Sequence, residues 1–193
     1  MESISKVLER KQQEIEMIWI IGLSSAGKTT LADLLVNKLK QNGHPCLHID
    51  GTQTRNIFET KLGFDPDSRR KQTRRIKSIA QWVSQQGIIP VVAIIHPFRQ
   101  DRDWCRNELS GYYEVYLKCS IDECRRRDEI ENKNVYKIET SKDIQNVVGL
   151  DIKYDEPEDT DLILESDKLN PDELLNILWG NVSRLIVDNK LGN

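Results

Sequence analysis

The stretch that decides the fold lies near the start of the chain and reads Gly22-Leu23-Ser24-Ser25-Ala26-Gly27-Lys28-Thr29-Thr30. Its first eight residues match the pattern Gly-x4-Gly-Lys-[Ser/Thr], which needs a strand before it and a helix after it. The glycines let consecutive backbone N–H groups curl around a phosphate, and the positive end of the following helix adds to the attraction. Lys28 can contact the β- and γ-phosphates, and the Thr29 hydroxyl can ligate Mg²⁺. The stretch therefore predicts a binding site for a nucleoside triphosphate.

The flanking residues supply the context that this motif needs. Residues 17–21 form a short apolar run typical of a buried parallel strand, and leucines recur at helical spacing from Lys28 to Gln41. Further strands are predicted at 45–49, 88–95, 112–119 and 161–164, and further helices at 76–86, at 120–128 and after a cap at Asn170. This alternation predicts an α/β fold of the P-loop NTPase type, a three-layer sandwich with a mostly parallel five-stranded sheet and helices on both faces.

The composition predicts one globular domain over residues 1–193. The chain has 28 lysines and arginines against 31 aspartates and glutamates, a formal net charge of −3, and 38% hydrophobic residues. A protein whose main partner is a nucleic acid or an anionic membrane surface favours a basic excess. Neither partner is therefore expected.

The remaining bulk features point to a cytoplasmic protein. Residues 1–13 are too charged for a secretory signal, and the spacing of Ile4, Val7 and Leu8 predicts a short leading helix over residues 1–16. No apolar run approaches the roughly 20 residues that span a bilayer. The four cysteines form no Cys-x-x-Cys pair, which favours reduced thiols. The leading helix and Trp179 could serve a homodimer interface as easily as the core.

A charged segment at about residues 125–142 is a candidate lid. It carries few apolar residues between two buried elements, so an ordinary solvated loop and a functional lid are both open interpretations. A lid over the phosphates would exclude water, which a phosphotransferase needs to avoid hydrolysing its nucleotide.

The rest of the chain narrows the class of nucleotide-binding protein. A regulatory GTPase normally carries Asn-Lys-x-Asp, whereas Asn132-Lys133 is followed by no acid at the fourth place. The size leaves little room for the appendages of a mechanical ATPase, so a small kinase is favoured. A kinase needs an acid near the γ-phosphate. Asp50 follows the second strand and is placed for that role, with an Asx turn at a strand end as the alternative interpretation.

These residues together resemble the adenylylsulfate kinase family over roughly residues 17–165. The resemblance rests on the phosphate-binding stretch and on ordered pieces that follow it: Asp50-Gly51 with Arg55, Leu62-Gly63-Phe64, Arg69 with Arg74-Arg75-Ile76, Pro97-Phe98-Arg99, and Tyr136-Lys137. The resemblance implies ATP at residues 22–30, Mg²⁺ near Thr29 and Asp50, and catalysis by Lys28 and Asp50. It also implies that Arg55, Phe64, Arg69, Arg99 and Lys137 serve a second, nucleotide acceptor, which is phosphorylated on its ribose 3′-hydroxyl.

An independent observation agrees with an anionic acceptor. Six basic residues fall between Arg69 and Lys77 in a chain that is acidic overall. Guanidinium groups bind anions through paired hydrogen bonds, although some of these residues can be explained by a solvated helix face. Phe64 can stack on a base or pack in the core.

The departures from the family cluster on the acceptor side. Thr52-Gln53 stand where the family has Asp-Asn, Gln72 replaces an asparagine, and His96 replaces a serine, which excludes a phosphoserine intermediate there. Val147-Val148 replace the Phe-Thr that helps clamp adenine. Adenylyl sulfate is the default acceptor. The alternatives are the same chemistry on another nucleotide, such as cytidine diphosphoramidate in capsule biosynthesis, and a catalytically weak nucleotide-binding module.

Overall fold

A computed structural model describes residues 14–137 and 146–186. Five strands form one sheet: β1 (Met17–Ile21), β2 (Cys46–Asp50), β3 (Ile89–Ile94), β4 (Tyr112–Lys118) and β5 (Leu162–Glu165). Their order is β2-β3-β1-β4-β5, and every neighbouring pair is parallel. Six helices accompany them in the described ranges: α1 (Lys28–Gln41), α2 (Gln53–Ile57), α3 (Pro66–Ser84), α4 (Arg99–Glu108), α5 (Ile121–Ile130) and α6 (Pro171–Val182).

The sheet is buried on both faces. Alternate residues of β1 point to opposite sides, so Ile18 and Ile20 belong to one core cluster, and Trp19 and Ile21 to the other. The first cluster includes side chains of α1 and α6, and the second includes side chains of α3 and α4. The predicted three-layer α/β sandwich is thereby confirmed.

Several predicted elements need correction. Helix α3 begins ten residues before its predicted start at residue 76, and α2 and α4 were not predicted. The leading helix is wrong at residues 14–16: Ile15 pairs with Ile186 in a parallel bridge, and its N–H donates to Leu185 O at 2.7 Å. The rest of that prediction, residues 1–13, lies outside the described residues. Of the predicted lid, residues 125–130 belong to α5, and residues 138–142 lie outside the described part.

The topology brings three strand ends together. Asp50 at the end of β2 is in register with Ala93, and Ile21 at the end of β1 is in register with Ile94. The segments that follow β1, β2 and β3 therefore leave the sheet at one edge, where ligands of open α/β sheets bind. Within the described residues, no helix is long and apolar enough to cross a membrane. A cytoplasmic location and a homodimer stay predictions.

Candidate active site

The loop between β1 and α1 has the backbone of a phosphate cradle. Gly22 has φ +151°, and a Cβ there would lie 2.5 Å from the carbonyl oxygen of Leu117 on β4. Gly27 has φ +95° and Ser25 has φ +57°, so the chain turns sharply just before α1 begins at Lys28. The buried Ser25 hydroxyl has no hydrogen-bond partner among the described residues. This loop fits a nucleotide phosphate. The phosphate oxygens can accept hydrogen bonds from the N–H groups at the start of α1 and from the Ser25 hydroxyl.

Lys28 folds over this loop. Its Nζ donates to Leu23 O at 2.5 Å. Burial lowers the pKa of the ammonium to about 8, against the opposing effects of the Cys124 thiol and the Asp50 carboxylate. A phosphate group would supply the negative charge that this partly desolvated cation lacks.

Asp50 and Thr29 are in direct contact. Asp50 Oδ2 accepts from Thr29 Oγ1 at 3.0 Å, while its Oδ1 accepts from the N–H groups of Thr52 at 2.8 Å and Gln53 at 3.0 Å. The two interpretations of Asp50 are therefore compatible, because one oxygen closes a turn and the other faces the phosphate-binding loop. A hydroxyl and a carboxylate are oxygen ligands of the kind that Mg²⁺ prefers, so the pair fits the predicted metal.

A cleft of about 440 Å³ joins this pair to the basic residues of α2 and α3. From the predicted set it is lined by Ser24, Ser25, Gly27, Lys28, Thr29, Thr30 and Asp50 at one end, and by Arg55, Phe64 and Arg69 at the other. Gly22, Leu23 and Ala26 are buried beside the cleft and shape the loop without lining it. Ten of the predicted residues thus share one cavity.

The far end of the cleft is a basic and aromatic wall. Phe64 is 56% exposed, and the guanidinium carbons of Arg55 and Arg69 lie 4.6 Å and 5.6 Å from its ring centre. Arg55 Nη1 donates to the carbonyls of Leu62 and Gly63, and Arg69 Nε donates to Phe64 O at 2.7 Å. Burial, followed by the charge of Arg55, lowers the pKa of Arg69 to about 10. Two like charges held this close favour an anion between them.

Two predicted substrate residues lie elsewhere. Arg99, at the start of α4, is outside the cleft and is held by carboxylates: Glu158 at 3.2 Å, Asp159 at 3.7 Å and Asp103 at 3.8 Å. Lys137 is exposed and does not line the cleft. Glu158 and Asp159 lie about 60 residues from Arg99 in sequence, so the sequence pattern could not predict these two ion pairs.

The cleft also contains residues that the sequence did not assign to it. Thr73 and Ile76 follow Arg69 at helical spacing on α3, so all three side chains lie on one face of the helix. A helix predicted to begin at Pro66 would have placed Thr73 and Ile76 in the cleft with Arg69. Gln72 Nε2 donates to Thr54 Oγ1 at 3.0 Å, and Thr54 Oγ1 donates to Asp50 O at 2.9 Å. Glu131 and Lys133, which follow α5 within the candidate lid and form an ion pair, also line the cleft.

Comparisons with known proteins agree with this geometry. The family model described as adenylylsulphate kinase matches residues 14–165. The adenylyl-sulfate kinase of Bacillus velezensis is 34% identical over 86% of this chain and 83% of its own length, and the probable adenylyl-sulfate kinase of Archaeoglobus fulgidus is 35% identical over 79% and 96%. The Mycobacterium tuberculosis APS kinase CysC in complex with AMPPNP and APS has a TM-score of 0.80 at 26% identity, covering 89% of this chain and 99% of that one.

The matches extend over the strand, loop and helix of the phosphate site and over the basic wall alike. They confirm the predicted P-loop kinase fold and, through the family, a phosphotransferase that acts on an alcohol group. The chain belongs to the adenylyl-sulfate kinase family.

Proposed function

We propose that this chain transfers the γ-phosphoryl group of MgATP to the ribose 3′-hydroxyl of adenylyl sulfate, giving 3′-phosphoadenylyl sulfate and ADP. The observation that carries the proposal is the shared cleft, in which the Lys28, Thr29 and Asp50 end meets the wall of Arg55, Phe64 and Arg69. One end is suited to a triphosphate and the other to an anion attached to a flat base.

At the triphosphate end, the backbone of residues 22–28 would bind the phosphates through its N–H groups. Lys28 leaves its contact with Leu23 O and pairs with the β- and γ-phosphates. Thr29 and Asp50 are the residues that would hold Mg²⁺, which when bound offsets the charge on those phosphates.

At the acceptor end, Arg55 and Arg69 bind the phosphosulfate anion and Phe64 stacks on the base. Oδ2 of Asp50, which faces the phosphate-binding loop, accepts the proton of the 3′-hydroxyl. The new bond joins the 3′-oxygen to the γ-phosphorus, the bond from that phosphorus to the β,γ-bridging oxygen breaks, and the electron pair leaves with ADP.

The candidate lid is anchored to the phosphate loop at Tyr136. Tyr136 OH donates to Ser24 O at 3.1 Å, and the Tyr136 N–H donates to the buried Asp128 carboxylate at 3.2 Å. Tyr136 therefore holds the neighbouring Lys137 close to the phosphate loop. In this proposal Lys137 contacts the bound nucleotide and helps to exclude water from the phosphates.

One observation favours a second candidate acceptor. Val147 and Val148 are both buried in the core, at the place where the family's clamp for adenine stands. Phe64 is thus the one phenylalanine, tyrosine or tryptophan among the described residues that line the cleft. A base held on a single ring suits another nucleotide with a modified pyrophosphate-like group, such as cytidine diphosphoramidate.

A substrate panel tests the proposal. The protein is incubated with MgATP and each of adenylyl sulfate, cytidine diphosphoramidate and unmodified nucleotides, and ADP and phosphorylated product are followed. Rapid turnover of adenylyl sulfate supports the first candidate, and turnover of another nucleotide alone supports the second. ATP binding with no product from any member of the panel would overturn both and support a binding module.

A further inference from the structure

His96 occupies an unusual position in the wall of the cleft. It follows β3 with φ +51°, in the left-handed region, between the lining residues Ile95 and Pro97. Its carbonyl accepts from Nη1 of the buried Arg102 at 2.9 Å, and Arg102 Nη2 donates to Asp155 O. The backbone of His96 is therefore fixed by a guanidinium that also ties β3 to the segment 146–157.

The imidazole is buried without hydrogen bonds. The residue is 2% exposed, its ring centre lies 5.4 Å from that of Trp19, and neither ring nitrogen has a hydrogen-bond partner among residues 14–137 and 146–186. Buried donors and acceptors without partners are destabilising, so they are rare in folded proteins unless they serve a purpose.

The ring is also uncharged. Burial, followed by the charge of Arg102, lowers the pKa of His96 to about 3, and the nearby Asp101 backbone offsets only part of this shift. A neutral imidazole carries one N–H donor and one acceptor nitrogen. It can add a directed hydrogen bond to a site whose positive charge already comes from Arg55 and Arg69.

We propose that the His96 imidazole binds the acceptor nucleotide by donating its ring N–H to an oxygen of that nucleotide. The inference rests on the proposed function in needing a nucleotide in the acceptor end of the cleft, but it does not depend on which nucleotide that is. Because both ring nitrogens are shielded from solvent, this hydrogen bond requires the imidazole to turn from Trp19 towards the cleft when the acceptor binds.

Three variants separate the role of each nitrogen. His96→Phe keeps a ring against Trp19 and removes both nitrogens. His96→Asn places an amide near Nδ1 and tolerates the positive φ, and His96→Gln reaches the position of Nε2. For whichever nucleotide the wild-type protein phosphorylates, we expect His96→Phe to raise the acceptor KM roughly ten- to hundredfold, with the KM for ATP within twofold. Restoration by either amide variant identifies the donating nitrogen.

An acceptor KM that stays within twofold in His96→Phe overturns the proposal, as does an equal rise in both KM values.

A second measurement, on the wild-type protein, tests the proposal if the variants fail to fold. The chain has three histidines, so the imidazole ¹⁵N resonances of the wild-type protein can be assigned to His96. We expect them to shift when the acceptor is added and to stay in place when MgATP is added alone. Unshifted resonances with saturating acceptor contradict the proposal, because a ring bound only to a buried water would behave in that way. Failure of the proposed function appears instead as absent turnover by the wild-type protein.

Discussion

The two carboxylate oxygens of Asp50 have different tasks. One is saturated by the N–H groups of Thr52 and Gln53, which fixes the plane of the carboxylate and directs the other oxygen at the Thr29 hydroxyl. The family pattern has a second acid at position 52. Thr52 cannot replace that acid as a base, so the proposed general-base role rests on Asp50.

Replacing Asp50 by Asn tests this role. The amide oxygen of Asp50→Asn can still accept the two N–H groups of the turn, whereas its nitrogen cannot take a proton. We expect kcat to fall at least about a hundredfold, measured by ADP release in the presence of the acceptor. Asp33→Asn, an exposed acid on α1 that contacts His48, is the matched control and should keep normal turnover. Near-normal activity in Asp50→Asn would remove this residue from the mechanism.

The lowered pKa of Lys28 should make the affinity for MgATP depend on pH. Its pKa is lowered to about 8 by burial, so the free protein carries the charged ammonium below pH 8 and loses it above. Bound phosphates stabilise the charged form and raise this pKa, so binding takes up a proton in alkaline solution. We expect the Kd for MgATP, measured by calorimetry, to be flat from pH 7 to 8 and to rise roughly tenfold per pH unit from pH 8.5.

The control for this titration is a buffer series with different ionisation enthalpies, which reports proton uptake directly. A Kd that is unchanged up to pH 9.5 would contradict the expected loss of charge on Lys28.

At the scale of whole elements, the sequence predicted the parts with strong periodicity or clear caps. The sequence predicted the strand at Met17–Ile21 and the helix cap at Asn170 with Glu173, and the structure contains both. The predicted start of helix α3 was ten residues too late, because residues 66–75 are too charged to show an apolar stripe. Its true start was nevertheless marked by Asp65, whose side chain accepts from the Ser68 N–H, and by Pro66 in the first turn.

Helix α4 shows why the rest could not be predicted. Its sequence is almost wholly polar, and its buried residues are Arg102 and Cys105. Arg102 is satisfied by the carbonyls of His96 and Asp155, and Arg99 by acids after residue 154. These partners come together only in the folded chain, so the local sequence pattern could not predict their contacts with α4. The same holds for the placement of Arg99 outside the cleft.

The turn from β1 into α1 depends on the absence of a side chain at Gly22. A Cβ there would lie 2.5 Å from Leu117 O, a backbone atom that cannot move without disturbing β4. We expect Gly22→Ala to lower the free energy of unfolding by about 1–3 kcal/mol and to abolish measurable MgATP binding. Gly180→Ala is the matched control in α6, where nothing lies within 4 Å, and should raise stability by about 0.5–1 kcal/mol. Urea unfolding and calorimetry measure the two effects, and normal ATP affinity in Gly22→Ala would argue against a phosphate cradle.

At the scale of the whole molecule, a largely buried ion cluster joins α4, β4 and Asp161, the residue before β5. Arg106 Nη1 donates to both oxygens of Asp161, at 2.9 Å and 3.2 Å, and its Nη2 lies 3.7 Å from Glu114 Oε1. Tyr112 OH donates to Glu114 Oε2 at 2.6 Å, and Asp161 Oδ2 accepts from the Glu114 N–H. Although burial raises the pKa of Glu114, the hydroxyl of Tyr112 and the guanidinium of Arg106 oppose the shift. Removing the cation should therefore leave a buried carboxylate without its main charge partner.

We expect Arg106→Met to lower the free energy of unfolding by about 3–5 kcal/mol at pH 7. Arg126→Met, which breaks an exposed pair with Glu123 on α5, should leave the free energy of unfolding nearly unchanged. The sign of the pH dependence follows from Glu114. Without Arg106 its pKa in the folded state rises further above the unfolded value, so the folded state holds an extra proton between these two pKa values and loses stability as pH rises through that window. Urea unfolding at pH 5 and pH 8 should show a larger deficit at pH 8 for Arg106→Met, relative to the unmodified chain. An equal deficit at both pH values would mean that Arg106 stabilises the fold through packing on Tyr112 rather than through its charge.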